Sequence, residues 1–319
     1  MSRPRIAVVG VGHMGGLHTS KLRQLTDEGE CELVGVFDRD PERCKAVADK
    51  NTTLALDSLE SVTRLADAAC VAVPGVDHGA VAGALLHAGL DVLVEKPLAS
   101  TRDEARELIQ VAQSGERILQ VGHIERFSPP LQRVLPILQR PRFIEAHRMG
   151  PYSTRATDVS VVLDLMIHDL DLIAMLAGSQ VDRLDAIGIP VLSPTEDIAN
   201  ARLHFMNGCI ANVTASRVSP EPMRKIRVFQ SNAYFSIDFG TRQIQVIRRE
   251  GIPGGPELPK IQAEQLTFDA SDALLAQDRA FVHAVRTRSA PAVDGEDGYR
   301  ALDLALRIQE SLPPVEILA

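Results

Sequence analysis

Short, predominantly apolar segments alternate with amphipathic stretches through residue 122 of this 319-residue chain. The stretches Ala80–Ala88 and Arg102–Gln113 have the apolar spacing of helices. Strands that are apolar on both faces are typical of a parallel sheet with helices packed on each side. This part of the chain is therefore predicted to form a doubly wound α/β domain. Its predicted strands are Ile6–Val9, Leu33–Phe37, Cys70–Val73, Val92–Val94 and Ile118–Val121.

The spacing of apolar residues changes after Gly122. From about Arg183 to Arg248, apolar and polar residues alternate, which indicates strands with one covered face and one open face. We therefore predict two domains, residues 1–122 and residues 123–319, the second an α+β domain on a largely antiparallel, open-faced sheet. The turns and helices predicted in it are hairpin turns at Asn207-Gly208 and near Asn232, a loop at Gly251–Pro259, and helices at Ala273–Arg286 and Gly298–Leu312.

The composition restricts the class of partner. A net charge of -8 argues against nucleic acid, because phosphate backbones are bound by clustered Lys and Arg. The four cysteines have no C-x-x-C spacing and are interpreted as reduced core residues. The first residues lead directly into a strand without a signal peptide, and no apolar run approaches the ~18 residues of a membrane span. A cytoplasmic protein without membrane insertion is predicted.

The first predicted strand ends in a G-x-G-x-x-G motif that runs from Gly10 to Gly15. Gly10 permits a tight turn, Gly12 lets backbone amides approach a pyrophosphate, and Gly15 lets the next helix pack closely on the sheet. Together with His13 and Met14, these glycines are the predicted pyrophosphate contacts of a Rossmann dinucleotide site.

Asp38 ends the second predicted strand, where a carboxylate can accept hydrogen bonds from the ribose hydroxyls of NAD. The alternative is that Asp38 caps the helix beginning near Pro41. Its charge also repels the 2′-phosphate of NADP, although the adjacent Arg39 can accommodate that phosphate, so NAD is the favoured cofactor. Pro74 and His78 follow the third strand and are predicted near the nicotinamide ribose. The alternative for His78 is an ordinary place in the first turn of a helix.

Glu95-Lys96-Pro97 directly follows the apolar run Val92–Val94. Ligands of open α/β sheets bind at the carboxyl ends of strands, and the fixed backbone angle of Pro97 restricts the lysine before it. Lys96 is therefore placed to contact whatever the glycine motif holds, which indicates an enzyme rather than a general nucleotide-binding domain. Glu95 and Lys96 are candidate cofactor contacts, and Lys96 is also a candidate catalytic and substrate-binding residue.

An apolar helical segment of the second domain carries Asp164 and His168, four residues apart and so on one helical face. A carboxylate beside an imidazole orients the ring and raises its basicity, as a general base requires. Both residues are predicted to be catalytic and to contact the substrate; the alternative is a helix-stabilising pair on a solvated face. A metal dyad at His168-Asp169 is disfavoured, because His204 and His283 lie in a strand pattern and a late helix. No metal site is predicted.

Polar residues after the last strand of the first domain are candidate substrate contacts, because the chain crosses there into the second domain. Arg126 can clamp an anionic or polyhydroxylated ligand. The alternatives are a salt bridge to Glu125 or a contact between domains. The predicted substrate contacts in and after this segment are His123, Arg126, Arg148, Tyr152 and Arg155.

Taken in order, G-x-G-x-x-G, an aspartate at the second strand, Glu-Lys-Pro at the fifth and D-x-x-x-H-D on a helix resemble the Gfo/Idh/MocA oxidoreductases over nearly the whole chain. The most specific parts are Glu95-Lys96-Pro97 and Asp164 with His168. The resemblance implies an NAD-dependent sugar dehydrogenase. It also implies that the open face of the second sheet packs in a homodimer or homotetramer.

Two longer segments resemble the branch of this family that acts on UDP-N-acetylglucosamine. They are residues 122–129, in which Ser128 stands where the branch commonly has asparagine, and residues 162–172. That branch oxidises the sugar 3-hydroxyl to a ketone, so that a partner aminotransferase can install an amine for lipid A. The resemblance therefore implies a nucleotide-sugar substrate and a downstream aminotransferase.

Two alternatives stay open at the level of the sequence. The first is a related dehydrogenase of another sugar or a free polyol. The second is a non-catalytic NAD or sugar sensor, against which Lys96, Asp164 and His168 argue, since a binding protein needs no acid–base residues. Either Lys96 or His168 can be the first proton acceptor.

Overall fold

The structure, a computed structural model, describes residues 3–152, 159–251, 260–269 and 272–313. The chain forms two compact units. The first comprises the residues up to Phe127 together with Asp272–Leu302. The second comprises the residues between these two stretches and those from Asp303 onward.

The first unit is built on a parallel sheet. Its strands are β1 (Arg5–Val9), β2 (Glu32–Phe37), β3 (Ala68–Val71), β4 (Asp91–Glu95) and β5 (Leu119–Gly122). Within the described residues the strand order is β2-β1-β3-β4-β5, and all neighbours are parallel. Every residue of β3, β4 and β5 is buried, as expected of strands covered on both faces. The doubly wound fold is confirmed.

Helices connect these strands, and local capping explains where several of them begin. They are α1 (His13–Asp27), α2 (Pro41–Lys50), α3 (Leu59–Leu65), α4 (His78–His87) and α5 (Arg102–Ser114), with 3₁₀ turns at Gly75–Asp77 and Ile124–Phe127. Thr101 and Glu104 form a capping box at α5, in which each side chain accepts from the backbone N–H of the other.

The second unit is built on a mixed, mostly antiparallel sheet. Its strands are β6 (Phe143–Met149), β7 (Val181–Ile189), β8 (Ile198–Phe205), β9 (Ile210–Ser216), β10 (Met223–Gln230), β11 (Ala233–Asp238), β12 (Gln243–Glu250) and β13 (Lys260–Thr267). In the part of the chain described, the order is β13-β12-β11-β10-β6-β9-β8-β7, and only β6 and β9 are parallel neighbours. The predicted turn at Asn207-Gly208 joins β8 to β9, with a φ of +81° at Gly208.

Two strands of this sheet were not predicted from the sequence. β6 lies near the middle of the sheet, and β13 lies at its edge. β6 alternates buried and half-buried residues, with the charged Glu145 and Arg148 among them, and β13 is exposed along most of its length. Polar side chains therefore hid the apolar alternation by which the other strands were recognised. The helices of this unit are α6 (Pro129–Val134), a 3₁₀ turn at Leu135–Ile137, a π-helix at Val162–Met166 and α7 (Ile167–Ala177).

The last helices differ from the sequence prediction in their assignment. α8 (Ala273–Thr287) lies in the first unit, although the predicted boundary at residue 122 gave it to the second, and α9 (Gly295–Ser311) begins in the first unit. Phe281, Val282 and Val285 of α8 are buried in the same apolar core as Leu22 and Leu25 of α1. The spacing of an amphipathic helix indicates which face is buried but not which element covers it.

All four cysteines are buried thiols without a disulfide partner. Burial raises the pKa of each, that of Cys31 to about 11. In the described ranges of the chain, no helix is long and apolar enough to span a membrane.

Candidate active site

The turn between β1 and α1 exposes the backbone at the start of the helix. Gly10 has a φ of +83°, and a Cβ there would lie 2.7 Å from a backbone nitrogen beyond β3. A Cβ on Gly15 would lie 1.8 Å from the carbonyl oxygen of Gly10, whereas one on Gly12 would meet no described atom within 4 Å. No described side chain caps α1 by a hydrogen bond, so its first amides are open to an anion such as a pyrophosphate. His13 and Met14 begin α1, and their contact with a cofactor stays a prediction.

The carboxylate of Asp38, directly after β2, lies beside this turn. Its Oδ2 accepts from the N–H of Val11 at 2.7 Å, and its Oδ1 accepts from the N–H of Asp40 at 2.9 Å. A carboxylate has about four acceptor positions, so Asp38 can still accept from ribose hydroxyls. Asp40 caps α2 instead, accepting from the N–H groups of Glu42 and Arg43 at 3.1 Å. The alternative of Asp38 as the helix cap is therefore wrong, and the residues present fit a dinucleotide.

Arg39 directly follows Asp38 in the chain, and its side chain is 79% exposed. Its Nη1 pairs with Asp77 at 3.2 Å. An ion pair at such exposure contributes little to stability, so it breaks at small cost. A contact of Arg39 with a cofactor phosphate stays a prediction.

His78 begins α4, and its ring is only 1% exposed. Nδ1 lies 2.6 Å from the carbonyl oxygen of Pro97, and Nε2 lies 3.0 Å from that of Val73. Carbonyl oxygens only accept, so a hydrogen bond forms at whichever ring nitrogen carries a hydrogen. His78 therefore joins the segment after β3, which contains Pro74, to the segment that contains Lys96. His78 thus lies in the first turn of α4, as the alternative had it, with both ring nitrogens close to carbonyl oxygens. Contacts of Pro74 and His78 with the cofactor stay predictions.

Lys96 follows β4, the fourth strand of the chain and not the fifth as the resemblance implied, and it is half-buried. The carboxylate of Glu95, predicted to contact the cofactor, is directed inside the unit. Its Oε1 lies 3.0 Å from Nε2 of His18 and 3.4 Å from Nε2 of Gln277. Burial opposes ionisation of Glu95, but the hydrogen bond from His18 and the charges of His18 and Lys96 outweigh it and lower the pKa of Glu95. Its contact with the cofactor stays a prediction.

Sequence reasoning missed His18 and Gln277. His18 follows the glycine motif by three residues, which is a signal that could have drawn attention to it. Nothing in the sequence relates it to Glu95, since only the fold brings α1 and the end of β4 together.

Asp164 and His168 lie where the π-helix meets α7 in the second unit. The sequence predicted a regular α-helix here. A π-helix closes its hydrogen bonds one residue further along the chain, and such turns occur frequently at functional sites. Both side chains are half-buried, which does not match the alternative of a fully solvated face. Their catalytic roles stay predictions.

Arg148 of β6 and Asp169 of α7 form a buried, two-pronged ion pair. Nε of Arg148 lies 2.8 Å from Oδ2 of Asp169, and Nη2 lies 3.3 Å from Oδ1. Because Asp169 is the neighbour of His168, this pair ties the first turn of α7 to the sheet. The guanidinium is thus already bound to a carboxylate, and its contact with a substrate stays a prediction.

Arg126 also pairs with a carboxylate within its own unit. Its side chain is 10% exposed, and Nη1 lies 3.1 Å from Oδ2 of Asp297 on α9. A salt bridge was one of the alternatives for Arg126, but its partner is Asp297 and not Glu125. Its contact with a substrate stays a prediction.

The remaining predicted substrate contacts differ in exposure. His123 is buried, and Tyr152 is 39% exposed, with its hydroxyl 3.5 Å from Oγ of Ser193. Arg155 lies outside the described residues. Over the ranges that the structure describes, no group of three or more His, Cys, Asp and Glu side chains is arranged to hold a metal ion.

Sequence comparison matches two family descriptions to this chain. "Oxidoreductase family, NAD-binding Rossmann fold" matches residues 4–123, and "GFO/IDH/MocA C-terminal domain" matches residues 104–236. The chain is 34% identical over 310 residues to a UDP-N-acetylglucosamine 3-dehydrogenase of Acidithiobacillus ferrooxidans, with 97% of each protein covered.

Two solved structures show the same architecture. UDP-N-acetylglucosamine 3-dehydrogenase from Acidithiobacillus ferrooxidans superposes with a TM-score of 0.91 at 34% identity, covering 98% of each chain. Scyllo-inositol dehydrogenase from Lactobacillus casei, solved with NAD(H) and scyllo-inositol, superposes with a TM-score of 0.81 at 18% identity, covering 98% of this chain and 97% of the other. The second likeness concerns the fold alone.

Proposed function

The chain belongs to the Gfo/Idh/MocA family of NAD-binding oxidoreductases, as its motifs predicted, and on this basis we propose that it oxidises the 3-hydroxyl of UDP-N-acetylglucosamine. The observation that carries the substrate is the 34% identity, over 97% of the chain, to an enzyme of that name. The aligned region extends over both units, and so covers the segments that carry Lys96 and His168.

In the proposed reaction, His168 accepts the proton of the sugar hydroxyl through an unprotonated ring nitrogen. Asp164, about one helical turn earlier, orients the ring. Lys96 donates a hydrogen bond to the same oxygen and stabilises the negative charge that develops on it. NAD supplies the hydride acceptor for the hydrogen at C3. The products are the 3-keto sugar, NADH and a proton held at His168.

The proposed preference for NAD over NADP rests on Asp38. Asp38→Ala is expected to weaken the binding of NAD by about tenfold to a hundredfold, because a hydrogen bond to a charged group is worth about 1.5–3 kcal/mol. The affinity for NADP should fall less, since the substitution also removes a charge that repels the 2′-phosphate of NADP. Asp40→Asn is the control, because asparagine also caps helices well. Fluorescence titration with NADH and NADPH measures both affinities, and equal losses would contradict the role of Asp38.

A substrate panel tests the proposed function directly. Cofactor reduction is measured with UDP-N-acetylglucosamine, UDP-glucose, free N-acetylglucosamine and myo-inositol. We expect the highest kcat/KM for UDP-N-acetylglucosamine, with the ketone at C3 identified by NMR. A free polyol oxidised better than every UDP-sugar would replace this proposal by the polyol alternative, which the existing ion pairs of Arg126 and Arg148 favour. Absence of turnover across the panel would favour the alternative of a non-catalytic NAD or sugar sensor.

The binding of UDP itself provides a second test of the proposed substrate. Arg155 is the best arginine to change, because substituting Arg126 or Arg148 would also break its buried ion pair with Asp297 or Asp169. Arg155→Gln is expected to weaken UDP by about tenfold to a hundredfold and leave NAD unchanged, as for the loss of a charge-assisted contact. The exposed Arg140→Gln is the control. No binding of UDP at millimolar concentration would contradict a UDP-sugar substrate.

The proposal extends to partners and location. A 3-keto sugar carries the carbonyl that an aminotransferase requires, so we place the reaction before an amination in lipid A biosynthesis. Free buried thiols accord with the reducing cytoplasm. The proposal includes a homodimer or homotetramer through the second sheet, where the half-buried rings of Phe143, Phe229 and Tyr234 lie side by side on adjacent strands with ring centroids 5.6 and 4.9 Å apart.

A further inference from the structure

A buried histidine joins three elements of the first unit. The ring of His18, on α1, is fully buried between two carboxylates. Its Nδ1 lies 2.8 Å from Oδ1 of Asp278 on α8, and its Nε2 lies 3.0 Å from Oε1 of Glu95 at the end of β4. With both carboxylates ionised, both hydrogen bonds form only when the ring carries two protons.

The titratable groups around this ring are few. Glu95 faces it from β4, Asp278 from α8, and the thiol of Cys70 from β3. Farther away, Asp272 acts on Asp278, and Lys96 acts on Glu95. Two anionic groups thus face one ring where solvent does not reach. A neutral ring would leave buried negative charge without compensation, which is costly.

The balance of these charges favours the protonated ring. Burial alone lowers the pKa of His18, but the negative charge of Asp278 and its hydrogen bond outweigh burial and hold that pKa well above its usual value. Burial raises the pKa of Asp278 itself. Because the pKa of His18 is raised by folding, the stabilisation is complete only below the ordinary histidine pKa of 6.5 and declines as the pH rises above it. It is lost as the pH rises through the pKa of His18.

The space around Glu95 is shaped for its inward position. A Cβ at Gly122 of the adjacent β5 would lie 2.4 Å from Oε1 of Glu95. The carboxylate of Glu95 therefore fills the space that any side chain at position 122 would need. Nε2 of Gln277 donates to the same oxygen at 3.4 Å. Glu95 is the last residue of β4, and Lys96 is joined to it by one peptide bond. Fixing the Glu95 carboxylate therefore fixes the strand end from which the side chain of Lys96 departs.

We propose that His18 is a positioning residue for Lys96: it holds Glu95 inside the unit and thereby fixes the strand end from which Lys96 reaches the substrate hydroxyl. This inference rests on the role of Lys96 in the proposed function. Being fully buried, His18 touches neither substrate nor cofactor. The position of the lysine thus depends on a proton that is held away from the reaction.

Asp278→Asn tests this dependence with little change of shape. The amide oxygen still accepts from Nδ1 of His18, and only the negative charge is lost. The ring should therefore lose its proton at a lower pH. The fall of kcat on the alkaline side is expected about one pH unit or more below that of the parent, because an opposite charge at such distances shifts a pKa by roughly 1–3 units. At lower pH the kcat and the affinity for NAD should match those of the parent.

Asp91→Asn is the matched control. Asp91 is a buried carboxylate at the other end of the same strand, accepts from the N–H of Ile118 at 2.8 Å and pairs with Arg288. Its substitution removes buried charge of the same kind without touching His18, and should leave the pH profile of kcat unchanged. An unshifted profile in Asp278→Asn, or an equal shift in Asp91→Asn, would overturn the proposal.

His18→Gln supplies a second measurement. It should lower kcat by on the order of tenfold to a hundredfold, since misplacing a catalytic group by ~1 Å costs about that much, while NAD affinity persists. Parental kcat and an unchanged alkaline limb in a folded His18→Gln protein would overturn the inference. If this variant does not fold, Asp278→Asn decides. The assays use whichever substrate the parent oxidises fastest, so an error in the proposed substrate does not affect them, whereas parental turnover in Lys96→Met would remove the premise.

Discussion

Lys96→Met is expected to lower kcat by a factor on the order of 10² or more and to leave NAD affinity unchanged, because loss of acid–base assistance typically costs that much. Methionine keeps an unbranched side chain of similar length and removes only the ammonium group. The structure makes a local rearrangement an inadequate explanation for such a loss, since the flanking residues are held independently. The carboxylate of Glu95 is hydrogen-bonded to His18, and the carbonyl oxygen of Pro97 is hydrogen-bonded to His78.

The control for this variant is Lys45→Met. Lys45 lies on the surface of α2, 72% exposed, in an ion pair with Asp49 four residues later. Its loss should change neither turnover nor affinity. Steady-state kinetics and NADH titration on both variants separate the chemical step from cofactor binding. Near-normal turnover in Lys96→Met would refute the catalytic assignment.

His168→Asn is expected to reduce kcat by a comparable factor, about 10² or more, since asparagine cannot accept the hydroxyl proton as a base. A general base acts only through an unprotonated nitrogen, so turnover of the parent should rise with pH between about 5.5 and 8. The residual activity of the variant should lose this rise. The comparison is made under conditions where chemistry limits the rate, shown by slower turnover of a substrate deuterated at the reacting carbon.

The exposed His87→Asn, at the end of α4, is the matched control for His168. It removes an imidazole from a helix without touching the segment from Val162 to Ala177, and should retain the pH profile of the parent. A flat profile in the parent, measured with chemistry limiting the rate, would exclude His168 as the base.

The sequence predicted the first unit well because burial on both faces gives a strand a composition that few other elements have. The strands and most helix starts were found within a few residues. Periodicity failed where a strand carries charged residues: Arg148 of β6 is buried, and its charge is compensated by Asp169, which no local pattern reveals. The π-helix at Val162–Met166 was missed for a similar reason, since a shift of one hydrogen-bonded residue leaves the apolar pattern almost unchanged.

The sequence predicts where several candidate residues lie in the fold better than it predicts their hydrogen-bond partners, and their functional roles stay predictions. Gly10, Gly15 and Asp38 occupy the places that their types imply, because each role depends on adjacent backbone. The partners of Arg126 and Glu95 were not predicted, because both are far away in the sequence. Arg126 forms an ion pair with Asp297, and Glu95 forms a hydrogen bond with His18. A motif specifies which chemical groups are present, and only the fold specifies which of them already have an ion-pair or hydrogen-bond partner within the protein.

The place of α8 has a consequence for how the protein is made. The ribosome synthesises Ser128–Ser271, which is most of the second unit, before the helix that covers Leu22 and Leu25 and supplies Asp278. Until then, a nascent chain presents an apolar surface and an incomplete charge network in its nucleotide-binding half, the condition in which chaperones are needed. A chain that is terminated within Ser128–Ser271 therefore lacks α8, and its first unit is incomplete as well.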